Sequence, residues 1–496
     1  MDLPLGLDHD ACYRAISTRD ARFDGRLFIG VKTTGIYCRP VCPARTPKQK
    51  NVTFHPTAAS AQEAGYRPCL RCRPETAPDL GAWRGTSNTV SRALGLIEMG
   101  ALDEASLETL AGRVGVGERQ LRRLFQRHLG ASPVAVAQTR RVLLAKQLIH
   151  ETRLPMAEIA LASGFGSIRR FNETFQQLYG RPPSGLRRAG GETVSSGPAG
   201  EVTLLLRYRP PYDWQAMIDF LRLRAIPGVE VIEETAYART IEIDGAVGTL
   251  RVEPTAGHAL KAAIRFPRLS ALPTIIARLR RVFDLAADPV TIGAQLSEDP
   301  VLAPLVAARP GLRVPGAWDG FELAVRAILG QQITVQAAIV LAGKLTARFG
   351  EPLGEAAQPG LTHLFPRPER LAGEDLAALG LMPGARARSI SSLAAAAAAD
   401  PGLLGTRRDL DEAVRTLKGL PGIGEWTAQY IAMRQLREPD AFPAADIGLM
   451  RALEDEAGVR PSPNELLARA EGWRPWRAYA AQHLWASWTP HQSKAA

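Results

Sequence analysis

The stretch that most constrains this chain runs from Leu417 to Asp446: LKGLPGIGEWTAQYIAM and, after a short break, FPAAD. Pro421, Gly422 and Gly424 interrupt a helical pattern sharply. The string therefore predicts a helix, a tight glycine hairpin, a second helix, a loop and one acidic residue. Glycines on either side of Ile423 let the backbone approach another molecule closely, because neither has a side chain in the way. The amides after Gly424 open a helix predicted over Glu425–Met433, and a helix N-terminus is a ready site for an anion such as a DNA phosphate. That helix carries Trp426 and Tyr430 one turn apart on one face. Asp446 is placed to cap a helix over Ile447–Glu454. Taken alone, a glycine hairpin with a capping Asp is an ordinary helical turn.

Charge adds a direction. Residues 1–190 hold 28 Lys+Arg against 16 Asp+Glu, a net of +12, whereas residues 191–496 hold 33 against 34, a net of −1. Long-range attraction to a polyanion is therefore expected from the front of the chain. The back would have to hold such a partner locally, through backbone amides and a few side chains. A length of 496 residues predicts three or four domains, and 46% hydrophobic with 22% charged residues fits globular ones. No apolar run reaches the ~18 residues of a membrane span. The opening MDLPLGLDHD has no apolar core segment, so no signal peptide is expected.

All five cysteines lie within the first 72 residues. Cys38-x3-Cys42 and Cys69-x2-Cys72 are two close pairs with the spacing of a four-thiolate zinc site, which can close a domain too small to bury a sufficient core. Two disulfides or free thiols are the competing readings, and a basic chain without a signal peptide favours Zn2+. Arg39, Arg45, Lys48, Arg67, Arg71 and Arg73 surround the ligands as candidate phosphate contacts. Cys12 stands apart as a small buried residue.

Two similar units follow a Pro/Gly stretch at Pro74–Gly85 and an amphipathic Thr86–Met99 segment. They are Ser106–Gly130 and Met156–Pro183, joined by a helix over Val134–Glu151. Each predicts a short helix, a glycine turn and a longer basic helix, Glu118–Leu129 and Ser167–Tyr179. In a helix-turn-helix the second helix enters the major groove. Leu121, Leu124, Phe125, Phe171, Phe175 and Leu178 would face the core. Arg119, Arg122, Arg123, Arg169, Arg170 and Asn172 would stay outside. Residues 189–201 are Gly/Ser-rich and predict a flexible linker. Val202–Arg207 and Val229–Val252 have strand character with a helix over Trp214–Arg224 between them. Beyond Gly320 the pattern is helical: Phe321–Leu329, Thr334–Phe349, Gly384–Ala399 and Leu410–Leu417.

Three resemblances sharpen this. RLFIGVKTTGIYCRPVCPARTPKQKNVTF with AGYRPCLRCRP resembles the N-terminal domain of the Ada family. That likeness implies zinc on Cys38, Cys42, Cys69 and Cys72, with Cys38 also accepting a methyl group irreversibly from a DNA methylphosphotriester. ASGFGSIRRFNETFQQLYGRPPSGLR is similar to the AraC-type regulator signature. LPGIGEWTA with its downstream Asp resembles the helix-hairpin-helix DNA glycosylases of the AlkA type. YRPPYDW (Tyr208–Trp214), PGLRVPGAWDGFELAVRAILGQQITV (Pro310–Val335) and WRPWRAYAAQHLW (Trp473–Trp485) extend that likeness over roughly residues 202–490. It implies that Asp446 stabilises a cationic sugar, and that Trp426, Tyr430 and Trp485 line a base pocket. It also implies that Gly422–Gly424 anchor the DNA backbone, with a bound metal ion as one means. Gln332 falls where some relatives carry an apolar wedge, a departure that leaves its intercalating role open. Trp473, Trp476 and Trp488 are assigned to core or rim. Bifunctional relatives carry a lysine where Trp426 stands, so no Schiff-base lyase activity is expected. With no cysteine after Cys72, neither an iron–sulfur cluster nor Ada's alkylguanine transferase chemistry is expected.

The expected chain is multidomain and mainly α. It comprises a small zinc-bound α+β domain (1–80), an AraC-type double helix-turn-helix (86–188), the linker (189–201), a small α+β domain (202–312) and an all-α helix-hairpin-helix glycosylase core (313–490). The implied work is DNA alkylation repair, with excision of 3-methyladenine and 7-methylguanine, plus transcription activation switched by methylation of Cys38. Double-stranded DNA and RNA polymerase are the implied partners, and the cytoplasm, at the bacterial nucleoid, the implied location. Two other readings remain at this level: a regulator whose glycosylase half only binds DNA, and a glycosylase whose zinc domain is only structural.

Overall fold

The computed structural model describes residues 7–78, 88–187, 200–354, 358–380, 382–405 and 410–487. The expected linker at 189–199, the 79–87 connection, Thr86 and Trp488 lie outside them. Contacts divide the chain into two compact units, Met1–Tyr208 with Gly257–Ala277, and Arg209–Ala256 with Arg278–Ala496. The strands Glu201–Arg207 and Ala259–Arg265, antiparallel partners expected in the domain beginning at 202, fall in the first unit.

The first unit opens with a four-stranded sheet. Phe28–Val31 pairs antiparallel with Ile36–Cys38 and with Val52–His55, and Arg67–Pro68 pairs parallel with Ile36 and Tyr37. Cys12, Ile16, Leu27, Ile29, Val31, Val52 and Phe54 pack beneath it. The two helix-turn-helix units form as Leu107–Arg113 with Glu118–Leu129, and Met156–Ala162 with Ile168–Tyr179. Ser106 and Ser167 cap by accepting from the Thr109 and Arg170 amides. The second turn needs a glycine: Gly164 sits at φ +86, and a Cβ there would press on the Asp103 carboxylate, which pairs with Arg140 and Arg141. Leu121, Phe125, Phe171 and Phe175 are buried, with Leu124 and Leu178 half-buried.

The four-cysteine module and the helix-turn-helix are not beads on a string. The Pro74–Gly85 stretch, expected as a separator, begins with a packed turn at Pro74–Thr76. Its Glu75 is buried against Lys146 of the Pro133–Glu151 helix, with Nζ 2.7 Å from the carboxylate and side-chain exposures of 0% for Lys146 and 1% for Glu75. The same Nζ donates to the Cys69 carbonyl at 3.3 Å. Thr57 donates to the Leu129 carbonyl, Ser132 to Glu63, and Arg73 pairs with Glu151. Glu151 in turn accepts from the Leu205 amide at 3.1 Å, and Gln147 donates to the Leu205 carbonyl at 3.0 Å. One long helix thus anchors the metal-binding loops at its side and a β-strand at its end.

In the second unit Glu230–Glu233, Ala236–Ile243 and Ala246–Thr255 form an antiparallel meander, with Trp214–Arg222 packed on it. Helices dominate the remainder. A buried network ties the two parts. Arg239 pairs with Glu322 at 2.6 Å, while Arg326 reaches Glu322, Glu230 and the Arg224 carbonyl. Burial opposes ionisation of Glu322, but the two guanidinium groups hold its carboxyl down to about 2. The network fixes the helix Gly320–Leu329, whose C-terminal turn carries Gln331 and Gln332.

Lys146→Met strips the partner from a buried carboxylate. It is expected to cost roughly 3 kcal/mol, read as a lower urea midpoint for the first unit, whereas Lys146→Met combined with Glu75→Leu should recover most of the loss.

Candidate functional site

The four cysteine sulfurs lie within 4.8 Å of one another, converging from the strand Ile36–Cys38, the loop after it and the turn following Pro68. That spread fits one tetrahedral ion with Zn–S bonds of ~2.3 Å. Backbone amides are already aimed at the sulfurs: Arg39 N at Cys72 (3.4 Å) and Arg71 N at Cys69 (3.3 Å). Such donors favour thiolates. Cys69 and Cys72 are buried, while Cys38 and Cys42 are half-exposed. The cluster is therefore a four-thiolate metal site, and its accessible side carries Cys38 and Cys42. Two of the flanking arginines are already engaged within the protein. Arg39 is engaged with Asp24, Thr76 and the Cys72 carbonyl, and Arg73 with Glu75 and Glu151. Arg45, Lys48 and Arg71 stay exposed and Arg67 half-exposed.

Arg119, Arg122, Arg123, Arg169, Arg170 and Asn172 are all exposed on the two second helices. Arg122 leans on Glu118 (2.6 Å) and Arg169 on Glu173 (2.7 Å), both one turn away. Pairs this exposed contribute little, so both arginines remain available to another anion.

In the second unit the hairpin forms as expected: Leu410–Lys418, the glycine turn, then Glu425–Arg434. Its two glycines have different reasons. Gly422 sits at φ +81, and a Cβ there would overlap the Ser389 hydroxyl, so glycine is needed to close the turn on its neighbour helix. Gly424 has an ordinary φ of −84, caps the new helix, and a Cβ there would meet nothing of the protein within 4 Å. Its bareness faces outward. Gln331 braces the hairpin by donating to the Gly422 carbonyl (2.9 Å) and the Thr427 hydroxyl (3.1 Å), and Arg386 holds the Gln331 carbonyl. Beside it, Gln332 projects from a left-handed position, φ +57, and is exposed. Gln331 was missed in the sequence because its partner lies 91 positions away.

Asp446 is the meeting point. Its Oδ1 accepts from the Leu449 amide at 3.0 Å, which caps the helix Ile447–Ala452, and from Trp485 Nε1 at 2.8 Å. Its Oδ2 accepts from Trp426 Nε1 at 2.8 Å. Gly448 leaves room for this, since a Cβ there would stand 3.0 Å from Oδ1 and 3.3 Å from the Trp485 ring. Trp426 and Tyr430 stack with centroids 5.1 Å apart and planes 11° apart. One turn further on, the Arg434 guanidinium lies 4.7 Å from the Tyr430 centroid. Trp426, Tyr430 and Arg434 follow one another at four-residue spacing along one helix face. Tyr430, expected in the base pocket, stacks on Trp426, and the Trp426 and Trp485 indoles both hold Asp446. Phe220 and Arg224 also join this group, and neither carried a sequence signal. Trp473 and Trp476 are core, with their indole N–H groups bonded to Asp299 and Gln295.

Four family models match in order: the metal binding domain of Ada over residues 11–75, a helix-turn-helix domain over 110–189, the AlkA N-terminal domain over 203–319, and the HhH-GPD superfamily base excision DNA repair protein over 325–478. The chain is 42% identical over 480 residues to the probable bifunctional transcriptional activator/DNA repair enzyme AlkA of Mycobacterium tuberculosis, covering 96% of both. It is 36% identical to DNA-3-methyladenine glycosylase 2 of Escherichia coli over 58% of this chain and 99% of that one. Among solved structures, 3-methyladenine DNA-glycosylase from Archaeoglobus fulgidus matches with a TM-score of 0.50 at 22% identity, over 57% of this chain and 96% of that one, and shows the fold of this half.

The two glycines are expected to separate in experiment. Gly422→Ala should destabilise the second unit by roughly 1–3 kcal/mol. Gly424→Ala should leave the thermal midpoint near wild type yet weaken binding to duplex DNA. Beneath the site, burial lowers His483 to about 4. From pH ~6.5 down to about 4 the unfolded chain binds a proton that the folded one refuses. Stability should therefore decline as pH falls through that window, and more shallowly in His483→Gln, by tryptophan-monitored urea unfolding.

Proposed function

The chain belongs to the family of fused Ada-type transcriptional activators and AlkA-type DNA repair enzymes, and we propose that it excises alkylated purines at Asp446 and senses DNA methylation at Cys38. The observation that carries the first activity is the pair of indole N–H donors fixed on the Asp446 carboxylate beside a glycine hairpin open to a phosphate. A purine must leave the duplex to be cleaved. The Gly424–Glu425 helix start would hold the backbone, and Gln332, exposed on its left-handed turn, would fill the gap. The Trp426 and Trp485 rings would flank the flipped base. A 3-methyladenine or 7-methylguanine nucleotide is cationic, so its C1′–N bond breaks with the electron pair returning to a base that leaves neutral. Asp446 then faces a sugar with oxocarbenium character and stabilises it as an anion in a partly dry site. Water adds at C1′ and loses its proton to solvent. No lysine stands at the Trp426 position, so no strand cleavage follows.

In the first unit Zn2+ suits the four-sulfur set, and its chemistry there is to keep the thiols as thiolates, the nucleophilic form. The Cys38 sulfur attacks the methyl carbon of a methylphosphotriester; the S–C bond forms, the C–O bond breaks, and the phosphodiester leaves as an anion. One thiolate becomes a neutral thioether, so the site loses one negative charge and repels DNA less. Arg119, Arg122, Arg123, Arg169 and Arg170 would then carry promoter binding, with RNA polymerase as the downstream partner in the cytoplasm.

Base release from methylated duplex DNA tests the first activity. Wild type should free 3-methyladenine and 7-methylguanine without breaking the strand, and Asp446→Asn should lose at least 100-fold in rate. Release by neither protein would reduce the second unit to a DNA-binding scaffold. Mass spectrometry after exposure to methylphosphotriester DNA should show one added methyl group on Cys38 in wild type and none on the protein in Cys38→Ala.

A further inference from the structure

We infer that Arg434 and Arg224 set how strongly the base pocket favours cationic over neutral purines, an inference that rests on the pocket proposed above. Arg434 is buried, and its guanidinium lies among three aromatic rings from three helices: Phe220 at 4.3 Å, Tyr430 at 4.7 Å and Trp485 at 5.7 Å. It donates to the Pro315 carbonyl at 2.8 Å, while its Nε finds no acceptor. The Arg224 guanidinium lies 3.9 Å from the Phe220 centroid.

Among the described residues neither has a carboxylate partner. Arg326 and Arg437, the cations next to them, are paired with Glu230 and Glu322, and with Asp284. Burial lowers Arg434 to about 10, which still leaves it charged at neutral pH. A buried charge without a carboxylate partner is costly and is rarely kept without a use. Arg434 lies against the Trp485 ring beside Asp446, and the half-buried Arg224 stands over Phe220 next to it.

The chemistry of the departing base gives them one. When a neutral purine leaves, the C1′–N bond breaks with the electron pair on the base, which departs as an anion and then takes the proton lost by the attacking water. Nearby guanidinium groups stabilise that anion. When an alkylated purine leaves, the same electron pair neutralises a cation, and the guanidinium groups have only repelled that cation beforehand. The effect on the sugar cation is common to both and cancels in their ratio. Positive charge behind the aromatic wall therefore offsets part of the cation–π preference that the rings alone would give. It widens the substrate class toward neutral purines.

Single-turnover release of 7-methylguanine and of hypoxanthine, a neutral purine, from otherwise identical duplexes tests this. Arg434→Gln and Arg224→Gln should each raise the 7-methylguanine to hypoxanthine rate ratio roughly tenfold. Arg434→Lys, which keeps the charge and loses the planar contact, should hold the ratio within about twofold even if both rates drop. A ratio unmoved in both Gln variants, or moved equally by Lys, overturns the inference. Absence of release of either base by wild type instead overturns the reading of the pocket itself.

Discussion

Asp446 keeps both carboxylate oxygens engaged with neutral donors: two indole N–H groups and the amide of its own helix. An arginine partner would orient the group as firmly but cancel its charge, and a cationic sugar would then gain little from it. Indoles orient without neutralising. They also do a second job, because the rings that donate to Asp446 form the walls beside it. Moving either tryptophan would disturb the carboxylate and the pocket together. The supporting shell follows from this. Gly448 clears space for Trp485, Tyr430 spaces Trp426 from Arg434, and Gln331 locks the hairpin that leads into the Trp426 helix.

Arginine explains the contrast in charge between the two halves. The back half carries almost as many cations as anions, yet several arginines are turned inward. Arg239, Arg313, Arg434 and Arg477 are buried, on carboxylates, carbonyls or rings. They hold strand to helix and loop to loop, while others such as Arg348, Arg388 and Arg415 are exposed. In the front half the arginines of the two second helices are exposed, so net charge and available charge coincide there.

The metal-binding loops are likewise part of a larger body. Lys146 spans from the Glu75 carboxylate to the carbonyl of Cys69, a metal-ligand residue, and Glu151 on the same helix holds the strand Glu201–Arg207. A change in geometry at the sulfurs therefore meets a buried charge on the helix that separates the two helix-turn-helix units. A freely tethered four-cysteine module would have no such connection.

The sequence determined what depends on local pattern. The cysteine spacing specified a four-thiolate site. The apolar periodicity gave both second helices to within a residue of where they form, and the glycine hairpin and the capping Asp446 were legible as such. Their causes act over a few residues: backbone freedom at glycine, capping by short polar side chains, and the 3.6-residue period. Only the tertiary structure decided which oxygen of Asp446 each tryptophan holds, and that Phe220, Arg224, Gln331 and Arg434 belong to the site. It also decided that Arg39 and Arg73 pair within the protein and that Lys146 docks the four-cysteine module. These are contacts between positions tens to hundreds of residues apart. Hydrogen bonds and stacking fix them only after the core has closed, so no single stretch of the chain carries their signal.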